Sequence, residues 1–254
     1  MKPEEIQLAW RLERAFWKAW PALEEAARGD WLLRFSAGVQ RRGNSANPTR
    51  ADVRDIEASI AACEALYRER GMPAIFRLPS IVEPTAERRL DRLGYRAEGE
   101  SLTLFADLAD AAAEPDAKVA LPSRPDAEWL AAMIALQGHE GERAAAYRRI
   151  VESVAVPAAF AGFRAEGELA ALAYGAVDDG LLCFESVITD IRYRGRGYAR
   201  RMLAALIAWG ADAGAKAVCL QVDAANAPGQ ALYASLGLKK TLYRYHYRRE
   251  PAAG

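Results

Sequence analysis

The sequence predicts an α/β protein in which one folding unit is used twice. The order strand, long helix, strand, short helix, strand can be read in each half of the 254-residue chain. The two short helices also close on matching text. Leu90-Asp91-Arg92-Leu93-Gly94-Tyr95 in the first half answers Tyr233-Ala234-Ser235-Leu236-Gly237-Leu238 in the second. Residues 109–125 lie between the halves. They are rich in Ala, Asp and Pro and lack an amphipathic period, as a linker would. The expected division is a first copy at 1–108, a linker with the next strand at 109–125, and a second copy at 119–254.

In the first copy, Ile6 to Ala27 has helical periodicity and carries Trp10, Phe16, Trp17 and Trp20, with Pro21 bending or splitting it. Trp31 to Ser36 reads as a strand. Thr49 to Arg70 reads as a long helix capped by Thr49 and stopped by Gly71 and Pro73. A strand at Ala74 to Leu78, a helix at Pro84 to Leu93 and a strand at Leu102 to Phe105 complete the copy. In the second copy, Lys118 to Leu121 is a short strand, and Asp126 to Gln137 and Glu142 to Val154 are helices. Ala158 to Arg164 and Glu168 to Val177 alternate as strands around a turn at Glu166-Gly167. Leu181 to Ile188 is an apolar strand interrupted by Glu185. Tyr198 to Ala213 is a helix with Met202, Leu203, Leu206 and Ile207 on one face. Ala217 to Asp223 is a strand, Pro228 to Leu236 a helix and Leu242 to Tyr247 a strand.

Lys plus Arg and Asp plus Glu balance at 34 each, so net charge gives no reason to expect nucleic acid or an anionic membrane as partner. The three cysteines, Cys63, Cys183 and Cys219, sit in apolar patterns without C-x-x-C spacing and read as reduced core residues. With no membrane-length apolar run and an acidic start at Met1-Lys2-Pro3-Glu4-Glu5, the expectation is a cytoplasmic protein without a metal site.

Chemistry concentrates in the second half. Arg192-Tyr193-Arg194-Gly195-Arg196-Gly197 runs directly into the helix pattern at Tyr198. Glycines let a phosphate approach the backbone, the first amides of a helix lack acceptors, and the macrodipole and arginines add positive charge. Asn226 follows on the loop after the next strand, and Tyr233 lies seven residues later on a short helix ending at Gly237. Asn47-Pro48-Thr49 stands before the first copy's long helix instead of a glycine pair, so that copy is expected to lack the cradle.

From Glu185 to Tyr247, this order and spacing resemble the GNAT superfamily of acyl-CoA-dependent N-acyltransferases. The whole chain resembles its tandem subgroup, in which a degenerate first copy supports an active second one. The resemblance implies two mixed, mostly antiparallel sheets flanked by helices. It also implies acetyl-CoA as donor, with pyrophosphate on the amides of Arg194, Gly195, Arg196, Gly197, Tyr198 and Ala199. Pantetheine would lie along Val187, Ile188 and Thr189, with Asn226 binding it or orienting the helix. Arg192, Arg196, Arg200 and Arg201 become candidates for the nucleotide phosphates, and Tyr233 for stabilising or protonating the leaving thiolate.

An attacking amine must lose a proton, and Glu185, in an apolar strand, is the candidate base. Relatives that act on protein N-termini often carry Glu where Gln221 stands here. The expected activity is therefore acetyl transfer to a primary amine of a small molecule by direct attack. A protein or peptide acceptor, or an acyl-CoA sensor without turnover, are the alternatives. His139 with Glu140 and Glu142, the segment Arg41-Arg42-Gly43-Asn44-Ser45, and Arg77 are further positions near the expected acceptor pocket. The run Tyr243-Arg244-Tyr245-His246-Tyr247 could turn one face to a pocket or a homodimer interface.

Overall fold

Proline and glycine decide where the first helix ends. In the computed structural model, which describes residues 1–111 and 114–251, helix α1 (Pro3–Ala19) stops before Pro21. The expected continuation to Ala27 is instead strand β1 (Glu24–Arg28), turned at Gly29 (φ +56°) into β2 (Trp31–Phe35). Strand β3 (Ala46–Pro48) escaped the sequence reading because three residues carry no period. Thr49 does not cap the next helix. It binds the Asp30 carbonyl through N–H and Oγ1, and α2 (Ile56–Glu69) begins only after Asp55. Strand β4 (Ile75–Pro79), α3 (Pro84–Arg92) and β5 (Arg96–Asp107) close the copy.

Part of the expected linker, Ala112 and Ala113, lies outside the described residues, as do 252–254 at the end of the second copy. The strand expected at 118–121 is reduced to one bridge, Ala120 to Gly162. Helices α4 (Ala127–Leu136), capped by Asp126, and α5 (Gly141–Glu152) follow. The antiparallel strands β6 (Ala158–Ala165), β7 (Glu168–Asp178) and β8 (Leu181–Thr189) lead into α6 (Tyr198–Asp212). Then come β9 (Ala217–Asp223), α7 (Ala227–Ala234) and β10 (Lys240–Arg249). Gly237, at φ +93°, makes the turn after α7, and a Cβ there would strike the Asp110 carbonyl. No described helix is long and apolar enough to cross a membrane.

The strands form one mixed sheet in the order β1-β2-β3-β4-β10-β5-β9-β8-β7-β6, with only β3/β4 and β8/β9 parallel. The two expected sheets are thus fused. Strand β10 lies between β4 and β5, while β5 lies between β10 and β9, so each copy inserts its last strand into the other's sheet. This exchange leaves no sheet edge at the junction, where unpaired backbone groups would otherwise be exposed.

Burial on both faces explains the near-continuous apolar text of β8. Leu181 and Cys183 join the core under α1, α4 and α5, and Leu182 and Phe184 join the core under α6 and α7. Helix α1 packs on β7 and β8 of the other copy, where Tyr174 donates to the Ala19 carbonyl at 2.7 Å. All three cysteines are free and buried.

Candidate active site

Two features of β8 open the site. Parallel pairing with β9 runs only from Leu181↔Ala217 to Cys183↔Cys219, and beyond it the backbone of β8 has no strand partner on that side. A bulge follows at once. Tyr174 faces Glu185 but Leu172 faces Ile188, and Ser186 takes φ +54°. The Tyr147 hydroxyl of α5 donates to Ser186 Oγ at 2.9 Å and ties the bulge to the helices.

Below this opening is a cavity of about 520 Å³ lined by Val187, Ile188, Thr189, Arg194, Gly195, Gly197, Tyr198, Ala199, Arg200, Asn226 and Tyr233. Gly195 and Gly197 adopt φ +74° and +75°, the left-handed region that glycine enters without steric cost. Among the described residues, no acceptor engages the backbone N–H groups of residues 195 to 200. A run of unengaged amides at the start of a fifteen-residue helix, with Arg194 and Arg200 on the same cavity, fits a diphosphate.

The other arginines point elsewhere. Arg192 is held by Asp190 at 2.6 Å and Glu168 at 2.8 Å, and Arg196 leans on Glu166 at 3.6 Å and the Tyr193 ring. Arg201 pairs with Asp116 and covers Phe163. The sequence places these side chains beside the cradle, but local carboxylates have captured them. Only the peptide groups of Arg192 and Arg196 remain in the turn.

A second cavity, about 610 Å³, meets the first at Val187, Asn226 and Tyr233. Its walls include Gln40, Arg41, Arg42, Arg143, Glu185, Gln221, Asp223, Tyr245 and Tyr247. The Asn226 side chain accepts from Gly229 N–H at 3.0 Å and caps α7 while facing both cavities. The capping and contact roles expected for Asn226 are therefore geometrically compatible. Tyr233 is 7% exposed, and its hydroxyl has no protein hydrogen-bond partner among the described residues. Burial first, and then the Glu185 charge, push its pKa up to about 12, so the phenol stays protonated at neutral pH.

Glu185 is 2% exposed and receives both terminal nitrogens of Arg42, one at 3.0 Å. Burial raises its pKa and Arg42 pulls it back, leaving it above the ordinary carboxylate value. Burial also works against the Arg42 charge, and Glu185 more than offsets this. The Arg42 guanidinium stacks over Trp20 at 4.7 Å. A residue of the first copy thus holds the only carboxylate that β8 presents to this cavity.

Other marked positions divide. Gln221 lines the cavity and accepts from the Tyr245 hydroxyl at 3.3 Å. Arg77 lies deeper, in a buried pair with Glu13 that Tyr243 also joins. His139 lines neither cavity. It packs against Tyr147 at 5.4 Å, and burial with nearby Arg143 lowers its pKa. Arg143, four residues later, faces the larger cavity. The sequence reading passed over it because an arginine in a helix ordinarily reads as solvated surface. Arg41 reaches the cavity from the first copy, paired with Glu98 at 3.3 Å and stacked on Tyr247.

Residues 9–248 match the protein family described as "Probable histone acetyltransferase Rv0428c C-terminal". The chain belongs to this family. Its fold is that of the GCN5-related N-acetyltransferases. The solved structure of such an acetyltransferase from Kribbella flavida superposes with a TM-score of 0.73 at 17% identity, covering 97% of this chain and 96% of that one. A tandem GNAT protein from the clavulanic acid biosynthesis pathway gives 0.62 at 14% identity, covering 88% and 79%. The "Uncharacterized N-acetyltransferase YobR" of Bacillus subtilis is 26% identical over 242 residues, 94% of this chain and 97% of the relative. In this N-acetyltransferase the element order of β1–β5 recurs in β6–β10, and among the described residues the run of unengaged amides at Gly195 opens α6.

Proposed function

We propose that the protein transfers an acetyl group from acetyl-CoA to a primary amine of a small molecule by direct attack. The meeting of the two cavities at Val187, Asn226 and Tyr233 carries this reading. One cavity has the free amides and cationic side chains a nucleotide diphosphate needs. The other is walled by aromatic and amide side chains from both copies and fits a small acceptor.

Arg194 and Arg200, with the amides of 195 to 200, would hold the diphosphate, and the open backbone at Val187 to Thr189 would hold the pantetheine arm. Acetyl-CoA supplies the activated thioester. Tyr233 stands where the cavities join and, kept protonated by burial, donates a proton to the departing sulfur. Glu185 takes the amine proton. Arg42 engages one lone pair on each carboxylate oxygen and leaves the others able to accept. Much of the acceleration comes from positioning donor and amine at the junction.

A peptide acceptor is the second reading, favoured by the family's description. The two are separated by incubating the enzyme with acetyl-CoA and either small primary amines or histone-tail peptides. Release of thiol and the mass of the acetylated product are then followed. Small amines are expected to dominate kcat/KM. Acetylation confined to peptides would replace the small-molecule reading, and no thiol release with any amine would remove the catalytic one.

A further inference from the structure

We propose that the acceptor carries a carboxylate and that Arg143 is the residue that selects it. This rests on the reading above, and it specifies which amines that site accepts.

Three observations converge on Arg143. It lines the larger cavity, yet among the described residues its side chain has no ion pair and no hydrogen bond. The other two arginines on that cavity are already engaged, Arg42 by Glu185 and Arg41 by Glu98. Its position leaves it accessible. It stands in the first turn of α5, whose N-terminus begins at Gly141 and carries positive dipole charge. The side chain is exposed at the cavity, so water hydrates it in the free protein and the carboxylate of an entering ligand can take that water's place.

The helix also fixes where that anion would lie. Arg143 and Tyr147 are four residues apart on one face of α5. The Tyr147 hydroxyl is pinned to Ser186, next to Glu185. The Arg143 backbone therefore lies about one turn, ~6 Å along the axis, from that of Tyr147, the residue that anchors the reacting end of the cavity. An amine near Glu185 and Tyr233 can then carry its carboxylate toward Arg143. Asp223, at the end of β9, is the other charged side chain on this cavity without an ion pair among the described residues.

The test compares glycine, β-alanine and γ-aminobutyrate with their carboxamides and with propylamine, and includes phosphoethanolamine as a non-carboxylate anion. Acetyl-CoA is the donor and thiol release is followed. The free acids are expected to have the higher kcat/KM, with an optimum in chain length. Arg143→Gln should raise KM for the best acid by roughly ten- to hundredfold with little change in kcat, since hydrogen bonds to charged groups contribute on that scale. Arg143→Lys should restore part of the loss, and the preference for acid over amide should collapse in Arg143→Gln. The Arg143→Gln protein should melt no lower than the parent, which separates a selectivity role from a packing role.

Equal turnover of acids and amides by the parent enzyme would overturn the assignment while leaving acetyl transfer intact. So would a preference for phosphoethanolamine over every carboxylate, or a KM unmoved by Arg143→Gln. Absence of thiol release with every amine, acids included, would instead fail the underlying catalytic reading.

Discussion

The two copies share a topology, but their corresponding loops do different work. In the second copy the turn into α6 has Gly195 and Gly197 at positive φ and amides with no acceptor. In the first copy the equivalent loop into α2 is tied down. Thr49 binds Asp30, Arg54 N–H binds the Asp30 carboxylate, and Glu83 N–H binds the Ala51 carbonyl. Asp55 and Glu57 place negative charge at that helix start, where a phosphate would be repelled. Corresponding positions on the short helices diverge in the same way. Tyr233 faces the cavities, while Leu90 is buried in its own core. The two halves share an element order but not the run of unengaged amides on which the proposed anion site depends. The first half instead supplies Gln40, Arg41 and Arg42 to the larger cavity.

The largest way to disturb this division of labour is to break the pair that joins the copies. Arg42→Ala leaves Glu185 buried without its partner and should cost about 3–5 kcal/mol in urea unfolding. The double change Arg42→Met with Glu185→Leu should recover most of that loss, and a single-mutant cost near zero would deny the pair its role in holding the copies together. Next, Gly195→Glu puts a strained residue and a negative charge into the cradle and should weaken CoA binding at least about a hundredfold by calorimetry. A glutamate placed in the first copy's loop, Arg50→Glu, should leave CoA affinity where it was. Equal effects from both would erase the contrast between the loops.

Tyr233→Phe should lower kcat roughly a hundredfold while donor affinity holds, because it removes the proton donor but keeps the ring. Full activity would take the hydroxyl out of the mechanism. For Glu185, burial outweighs Arg42, so its carboxyl releases its proton above the usual carboxylate range. Because only the ionised form accepts a proton, kcat/KM should rise with pH through that raised value. Glu185→Gln should lose this limb and keep only the titration of the acceptor amine. The smallest effect is expected at Arg192→Ala. Its side chain is paired with Asp190 and Glu168 at the exposed surface, so CoA affinity should shift less than about fivefold.

The glycine turn, the Asn226 to Tyr233 interval and the apolar text of β8 were legible because each is a local signal. A turn needs glycine, a helix needs a cap and a period, and a strand buried on both faces needs continuous apolar residues. Several expectations failed where a distant partner intervened. Arg192 and Arg196 belong to the turn, but their side chains answer to Asp190, Glu168 and Glu166. Thr49 has the composition of a cap, yet it was claimed by Asp30 across the hairpin. Arg143 gave no signal because its distinction is the lack of a partner.

By itself, the sequence determined the α/β class, the resemblance to N-acetyltransferases and the glycine turn that opens α6. Backbone conformation and helix dipoles are set by neighbours along the chain. Only the tertiary structure decided that the last strands are exchanged, that Arg42 grips Glu185 and that Arg143 faces a cavity. Those outcomes depend on which unsatisfied backbone edges and which opposite charges meet once segments far apart in the chain are packed together.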